Sequence, residues 1–181
     1  MSKRATIVVD LQNEYLPTGK LPLIDLEAAL ANAARVIAAA RTKGELLIHV
    51  RHEGAQPDAP FFTPGTSGVQ IIPTLAAREG EPVIVKNYPN SFRGTQLKEL
   101  LEAKGVTDLV VIGAMSHMCI EATSRAAADF GYPVTVAHDA CATMNLEFDG
   151  IAVPAAQVHA ASMAALGFGY ASITTTDKLL A

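Results

Sequence analysis

Six short runs of β-favouring residues recur along the chain, at residues 5–11, 45–50, 82–86, 108–113, 133–138 and 170–174. The centres of the first five, IVV, LLIHV, VIV, LVVI and VTV, are continuously apolar instead of alternating. A strand with one wet face alternates apolar and polar side chains, so a continuous run belongs to a sheet covered on both faces, the habit of parallel sheets. Helical stretches separate most of the runs. Residues 26–42 carry apolar side chains at helical spacing and stop at Gly44, and Thr95 is placed as an N-cap before residues 96–103, with Gly105 as the stop. Residues 119–130 close at Gly131, and a stretch opened by Pro154 runs to Leu166 and closes at Gly167. Repeated βα units predict a doubly wound α/β fold, here as one domain over residues 1–181, with ligands bound beyond the C-terminal ends of the strands. Residues 53–73 fit neither pattern; with Pro57, Pro60, Pro64, Gly65 and Gly68 beside Phe61 and Phe62 they predict a long ordered loop, and loops of that length in compact domains are usually functional.

A chain of 181 residues buries roughly 70% of its unfolded surface and needs no disulfide or zinc to hold a core. With 50% hydrophobic and 18% charged residues it is not a disordered chain. The net charge is −4 and the basic residues are scattered, so the clustered positive face that phosphate backbones require is missing and no nucleic-acid partner is expected. No apolar run approaches the ~20 residues of a membrane span, and no membrane partner is expected. Lys3 and Arg4 precede only Ala5 to Val9 before Asp10 interrupts, short of the roughly 7–15 residues of a signal-peptide core, which points to the cytoplasm. Cys119 and Cys141 match no zinc or CxxC spacing and are read as free thiols. Where a dinucleotide site would carry GxGxxG, DLQNEYLPTGK stands instead, and neither GxxxxGK[ST] nor GxSxG occurs. No cofactor is expected. An apolar surplus remains, much of it alanine in residues 119–130 and 154–166, and it predicts a homo-oligomer, a dimer or larger.

The strand ends carry the chemistry. Asp10 ends the first run, Lys86 ends the third, and Cys119 opens a helix a few residues after the fourth. Singly, each has an ordinary structural role: a turn cap, a solvated strand-end charge, a small buried hydrophobe. Together on one rim they form a nucleophile with its activators. A helix N-terminus and the Lys86 cation would both favour the Cys119 thiolate, Asp10 would take up and return protons, and backbone N–H groups of the turn from Gly113 to Cys119 would receive a developing oxyanion.

Three segments, in order, resemble the isochorismatase-like cysteine hydrolases, a family that includes nicotinamidases, N-carbamoylsarcosine amidohydrolases and ureidoacrylate amidohydrolases. They are IVVDLQNEY, then VIVKNYPNSFRGTQL with its Ser-Phe and Gly-Thr-x-Leu, and then LVVIGAMSHMCIEATSRAAADFGYPVTVAHDA, which carries both the nucleophile and Gly113, Ser116, Thr123, Gly131, Asp139 and Ala140 where the pattern has them. The resemblance implies a three-layer α/β/α fold with a six-stranded parallel sheet, and a catalytic triad of Asp10, Lys86 and Cys119. It also implies a cis peptide between Ala114 and Met115, aiming the Met115 N–H with that of Cys119 at the oxyanion. The activity implied is cleavage of a C–N bond in a small amide, carbamoyl or ureido substrate through a thioester at Cys119. Two alternatives stand beside it: isochorismatase-type cleavage of a vinyl ether, which needs an acid but no thiol, and a non-catalytic thiol sensor using Cys119 and Cys141.

Nicotinamidases of this family bind a metal through an Asp-x-His arrangement after the second strand. Here His49, Val50, Arg51 and His52 occupy that stretch without an aspartate in the first position, so no metal is expected and His52 reads as an ordinary hydrogen-bonded residue. Tyr15, Phe61, Phe62, Tyr88, Phe92 and Met115 fall in rim loops as candidate walls of a substrate pocket. His117 either contacts substrate or points away from the site. Cys141 reads as a packed thiol more readily than as a resolving cysteine, and His159 with the alanine face of its helix reads as structural.

Overall fold

The computed structural model describes residues 3–181 and builds one six-stranded sheet with helices on both sides. In chain order the elements are β1 (Arg4–Val9), α1 (Leu26–Lys43), β2 (Leu46–His52), β3 (Val83–Lys86), α2 (Leu97–Ala103), β4 (Asp108–Ala114), α3 (Glu121–Asp129), β5 (Val134–Ala142), β6 (Leu146–Phe148), β7 (Ile151–Val153), α4 (Ala155–Gly169), β8 (Ser172–Thr174) and α5 (Thr176–Leu180). The sheet order is β3-β2-β1-β4-β5-β8 and every pairing in it is parallel. Among the described residues no helix is long and apolar enough to cross a membrane.

The continuous apolar runs fill two cores at once. Successive strand residues point to opposite faces, so Val8, Leu47, Val110 and Ile112 meet Ala29, Ala33, Val36, Ile37 and Ala40 of α1 on one face. On the other, Ile7, Val9, Ile48, Val50 and Val111 meet Leu97 and Leu101 of α2, Ala127 of α3, and Met163 and Leu166 of α4. β3 departs from the expectation of two buried faces: Val83 and Val85 are 45% and 42% exposed. Only the 3-10 turns Ser67–Val69 and Pro73–Leu75 lie between β2 and β3, with no α-helix to pack on that side of this edge strand.

Several boundaries also move. β1 stops at Val9 instead of residue 11, because Asp10 adopts φ 52°, a left-handed conformation that ends the extended run. β5 runs past residue 138 to Ala142; its pairing with β4 jumps from Val111 opposite Val136 to Gly113 opposite Cys141, so the extra residues of the irregularity lie on β5. A single wide helical turn, Ser116–Ile120, precedes α3, so helical structure begins three residues before Cys119. α4 continues through Gly167 to Gly169. Thr95 lies just outside the first turn of α2, where Gln96 holds the cap position; the Thr95 hydroxyl still accepts the Leu97 N–H at 3.3 Å. Gly44, at φ 66°, closes α1 as expected, its N–H reaching the Ala40 and Arg41 carbonyls. The antiparallel hairpin β6–β7 and the short α5 were not signalled by the periodicity.

The chain winds outward from β1 through β2 to β3, then returns to place β4 on the other side of β1. The C-terminal ends of β1 and β4 therefore flank the point where the winding direction reverses, the crevice in which open α/β sheets bind ligands.

Candidate active site

Gly113 brings the two strands together at that point. It pairs with Val9 at the end of β1, and its φ of +130° is one that L side chains rarely adopt. A Cβ there would lie 1.9 Å from the Val9 carbonyl oxygen, so only glycine permits the approach. The chain leaving β1 and the turn leaving β4 thus emerge side by side. Asp10 stands on the first, its N–H bonded to Val50 O at 2.9 Å, and Cys119 stands on the wide turn that follows the second.

Lys86 reaches both. As the last residue of β3 it pairs with His52 of β2, and its side chain runs inward until Nζ lies 2.6 Å from Asp10 Oδ2 and 3.2 Å from Cys119 Sγ. Asp10, Lys86 and Cys119 are 0%, 1% and 6% exposed. The structure brings these three strand-end residues into one solvent-poor contact. The third Lys86 contact is His52 Nδ1 at 3.1 Å; an ammonium only donates, so this nitrogen is the acceptor.

The electrostatics follow from burial. Desolvation alone would lower the Lys86 ammonium, but the negative charge of Asp10 and the sulfur of Cys119 outweigh it and hold the pKa above its ordinary value. Burial pushes the Cys119 thiol well up, Asp10 adds to that, and Lys86 only partly offsets them. The expectation that cation and helix would favour the thiolate is therefore not met in the resting site: desolvation and repulsion from Asp10 outweigh Lys86. Tyr15 is raised by burial first and by Asp10 and Cys119 next, and remains a phenol.

Of the expected pocket walls, Tyr15 and Phe62 are buried beside the site, ring centroids 5.2 Å apart and edge to face, and Phe62 stands equally close to His52. Phe61 and Tyr88 are exposed at the rim, the latter with the Arg93 guanidinium 3.8 Å from its ring centroid. Phe92 is not a free wall: it packs against Phe130 in the core with Leu97 and Ile120. His117 turns toward β5, its Nδ1 2.7 Å from Thr143 Oγ1. Met115 is partly buried, and the peptide joining Ala114 to it is cis. Cys141 is a packed thiol donating to Ala137 O, pushed up to about 12 by burial. His159 bonds Ser116 Oγ at 2.8 Å. Among the described residues no three His, Cys, Asp or Glu side chains gather as a metal-holding group.

Several residues of the matching segments take supporting roles that the sequence alone did not reveal. Gln12, fully buried, accepts the His52 N–H at 2.7 Å and donates to His52 O and Val69 O. Glu14 accepts the Phe62 N–H at 2.6 Å, tying the long loop to the exit of β1. Ser91 and Thr123 share a 2.7 Å hydroxyl contact, and Thr95 donates to Ser91 O, which pins the chain after β3 to α3. A polar residue buried just past an apolar strand announces itself only when its partner, distant in sequence, is known. Asp139, by contrast, serves the fold: its carboxylate accepts both the N–H and the hydroxyl of Thr176 at the start of α5.

Fold and site together define a hydrolase of the doubly wound α/β class. The Isochorismatase domain model matches residues 4–177, and the chain belongs to the isochorismatase family. It is 46% identical over 176 residues to an uncharacterized isochorismatase family protein of Bacillus subtilis, covering 97% of this chain and 98% of that one. A crystal structure of a family member from Oleispira antarctica, 49% identical, superposes with a TM-score of 0.95 over 99% of this chain and 96% of the other. Nicotinamidase 3 of Arabidopsis thaliana is 29% identical over 187 residues, covering 97% of this chain and 86% of its own.

Proposed function

We propose that the protein cleaves a C–N bond of a small amide, carbamoyl or ureido compound through a thioester on Cys119. The observation that carries this reading is the buried Lys86 ammonium in contact with both the Asp10 carboxylate and the Cys119 sulfur. The nicotinamidase relative adds support, its named substrate being an amide.

In the resting site Asp10 is the base and Cys119 the thiol. As Sγ attacks the substrate carbonyl carbon, its proton passes to Asp10 and Lys86 balances the negative charge on sulfur. The tetrahedral oxyanion is received by the backbone N–H groups of Met115 and Cys119. Asp10 then returns the proton to the departing nitrogen, ammonia or an amine leaves, and the thioester remains. A water gives one proton to Asp10 and attacks the thioester; the acid departs and the proton returns to sulfur. No step in this sequence uses a metal or cofactor. The buried rings of Tyr15 and Phe62 form the apolar side of the site, which favours an uncharged substrate portion beside them.

A screen of small amides, carbamoyl and ureido compounds for ammonia or amine release, with intact-mass detection of an acyl adduct on Cys119, tests the proposal. Cys119→Ala is expected to abolish turnover and the adduct together. Turnover retained in Cys119→Ala would overturn the thiol mechanism, and a vinyl ether cleaved with no adduct would favour the acid-only chemistry. We also propose that the working molecule is a homo-oligomer: α4 carries no Asp, Glu, Lys or Arg, and its outward positions Ala156, Ala160, Ala161, Ala164, Ala165 and Phe168 are exposed.

A further inference from the structure

We propose that His52 is a positioning residue for this site, fixing the Lys86 ammonium between Asp10 and Cys119 by accepting its third hydrogen at Nδ1. The inference rests on the thiol reading above and adds a residue that the reading does not require.

The geometry begins with a count. Lys86 has three N–H donors, and three acceptors stand around Nζ: Asp10 Oδ2 at 2.6 Å, His52 Nδ1 at 3.1 Å and Cys119 Sγ at 3.2 Å. A lysine head group on its flexible stem is free to rotate about its last bond. With only two acceptors the third hydrogen would be left without a partner in a site where Lys86 is 1% exposed, and an unsatisfied buried donor is costly. With three, a single orientation satisfies all of them and aims one N–H at sulfur.

His52 is itself held from three sides. Its backbone N–H donates to Gln12 Oε1 at 2.7 Å and its carbonyl accepts from Gln12 Nε2 at 2.8 Å, so the end of β2 is clamped to the chain leaving β1. The Phe62 ring meets the imidazole at a 73° interplanar angle with centroids 5.2 Å apart. Phe62 is in turn fixed through its N–H by the buried Glu14 carboxylate. A side chain merely filling space at the end of a strand would need none of this.

The arrangement works only while His52 is neutral. A neutral ring with its proton on Nε2 offers Nδ1 as the acceptor; a protonated ring has no acceptor and sets a second cation against Lys86. Burial, and then the Lys86 charge, hold His52 below the ordinary histidine range against the opposing pull of Asp10. The charged groups that bear on it are Lys86 from β3 and Asp10 from the end of β1, while its chain neighbours Arg51 and Glu53 pair with each other at 2.6 Å. The neutral form therefore prevails at neutral pH, and the acceptor is lost only on acidification below about pH 6.5.

The test follows Cys119 itself and needs no substrate. In a Cys141→Ser background, the rate of Cys119 alkylation by iodoacetamide is measured by intact mass from pH 5 to pH 9, with thermal midpoints recorded for every variant. His52→Phe keeps an aromatic ring beside Phe62 and removes the acceptor; alkylation is expected to slow about tenfold or more. His52→Asn places an amide oxygen where Nδ1 stood and does not titrate. It is expected to restore the rate to within about threefold and to remove the part of the acid limb that belongs to His52. The proposal is overturned if His52→Phe alkylates like its parent, or if His52→Asn is as slow as His52→Phe at an unchanged thermal midpoint. A parent whose Cys119 never alkylates would instead bring down the nucleophile reading, and this inference with it.

Discussion

Removing the charge of Lys86 exposes how much of the local stability depends on a matched pair. Lys86→Met keeps most of the stem volume and deletes the ammonium, which leaves the Asp10 carboxylate in a site where both side chains are 0% exposed. Apart from the neighbouring Cys119 thiol, no side chain stands ready to hydrogen-bond the carboxylate in place of the ammonium. Breaking a buried pair from one side typically costs about 3–5 kcal/mol. The cost has a ceiling, because the carboxylate can take up a proton, and holding an ordinary carboxyl protonated at pH 7 costs about 4 kcal/mol. We therefore expect Lys86→Met to lose about 4 kcal/mol at pH 7, close to the whole stability of a marginal domain. In a chain of this length that is a fall of about 8–16 °C in thermal midpoint. The loss should shrink by about 1.4 kcal/mol per pH unit on acidification, since holding the carboxyl protonated costs less as the pH nears the ordinary carboxyl range. Urea unfolding at pH 5, 6, 7 and 8 measures this directly. The double variant Asp10→Asn with Lys86→Met removes both charges and is expected to recover most of the loss. A single variant within about 1 kcal/mol of the parent, or a double variant no better than the single one, would refute the reasoning.

Two further outcomes follow from the geometry. Gly113→Ala places a Cβ 1.9 Å from Val9 O at a φ of +130°, so it should cost more than about 3 kcal/mol and separate the strand ends that carry Asp10 and Cys119; a urea midpoint equal to the parent's would show that β1 and β4 adjust freely. Size-exclusion chromatography with light scattering at micromolar concentration should give a mass of at least twice 19.0 kDa, and Phe168→Asp should lower it. A monomeric parent would refute the proposed assembly.

The strands were legible because a parallel sheet imposes its signature locally: Ile7, Val8 and Val9 must all be apolar when adjacent residues serve two different cores. The site was legible for a related reason. Parallel strands all point the same way, so Asp10, Lys86 and the turn bearing Cys119 reach one rim whatever the loops do. The hairpin β6–β7 escaped although Asp149 and Gly150, at φ 51° and 75°, make the kind of turn that joins such strands; strands of three residues are too short to show alternation. Phe92 was misplaced, and His117 left open between two directions, because a loop residue in sequence carries no direction. The first went to the core with Phe130 and the second to Thr143. The roles of Gln12 and Glu14 depend on Val69 and Phe62, about fifty residues away, which only the folded loop brings near.

The ionisation of Cys119 was out of reach of the sequence for a different reason, and it bears on how the proposed reaction would run. A nearby cation and a helical turn are local features that lower a thiol's pKa, but desolvation belongs to the whole packed site and here outweighs them. On the proposed mechanism this is no obstacle. A thiolate held permanently in the site would be stabilised by Lys86 before any substrate arrived, and that stabilisation would have to be given up during attack. A protonated thiol beside a charged Asp10 defers the separation of charge until the carbonyl is in place, when the developing oxyanion and the proton on Asp10 form together. Lys86 then stands beside a sulfur that is losing its proton and an Asp10 that is losing its charge, so an ammonium fixed between the two steadies the charge as it passes from carboxylate through sulfur to the carbonyl oxygen.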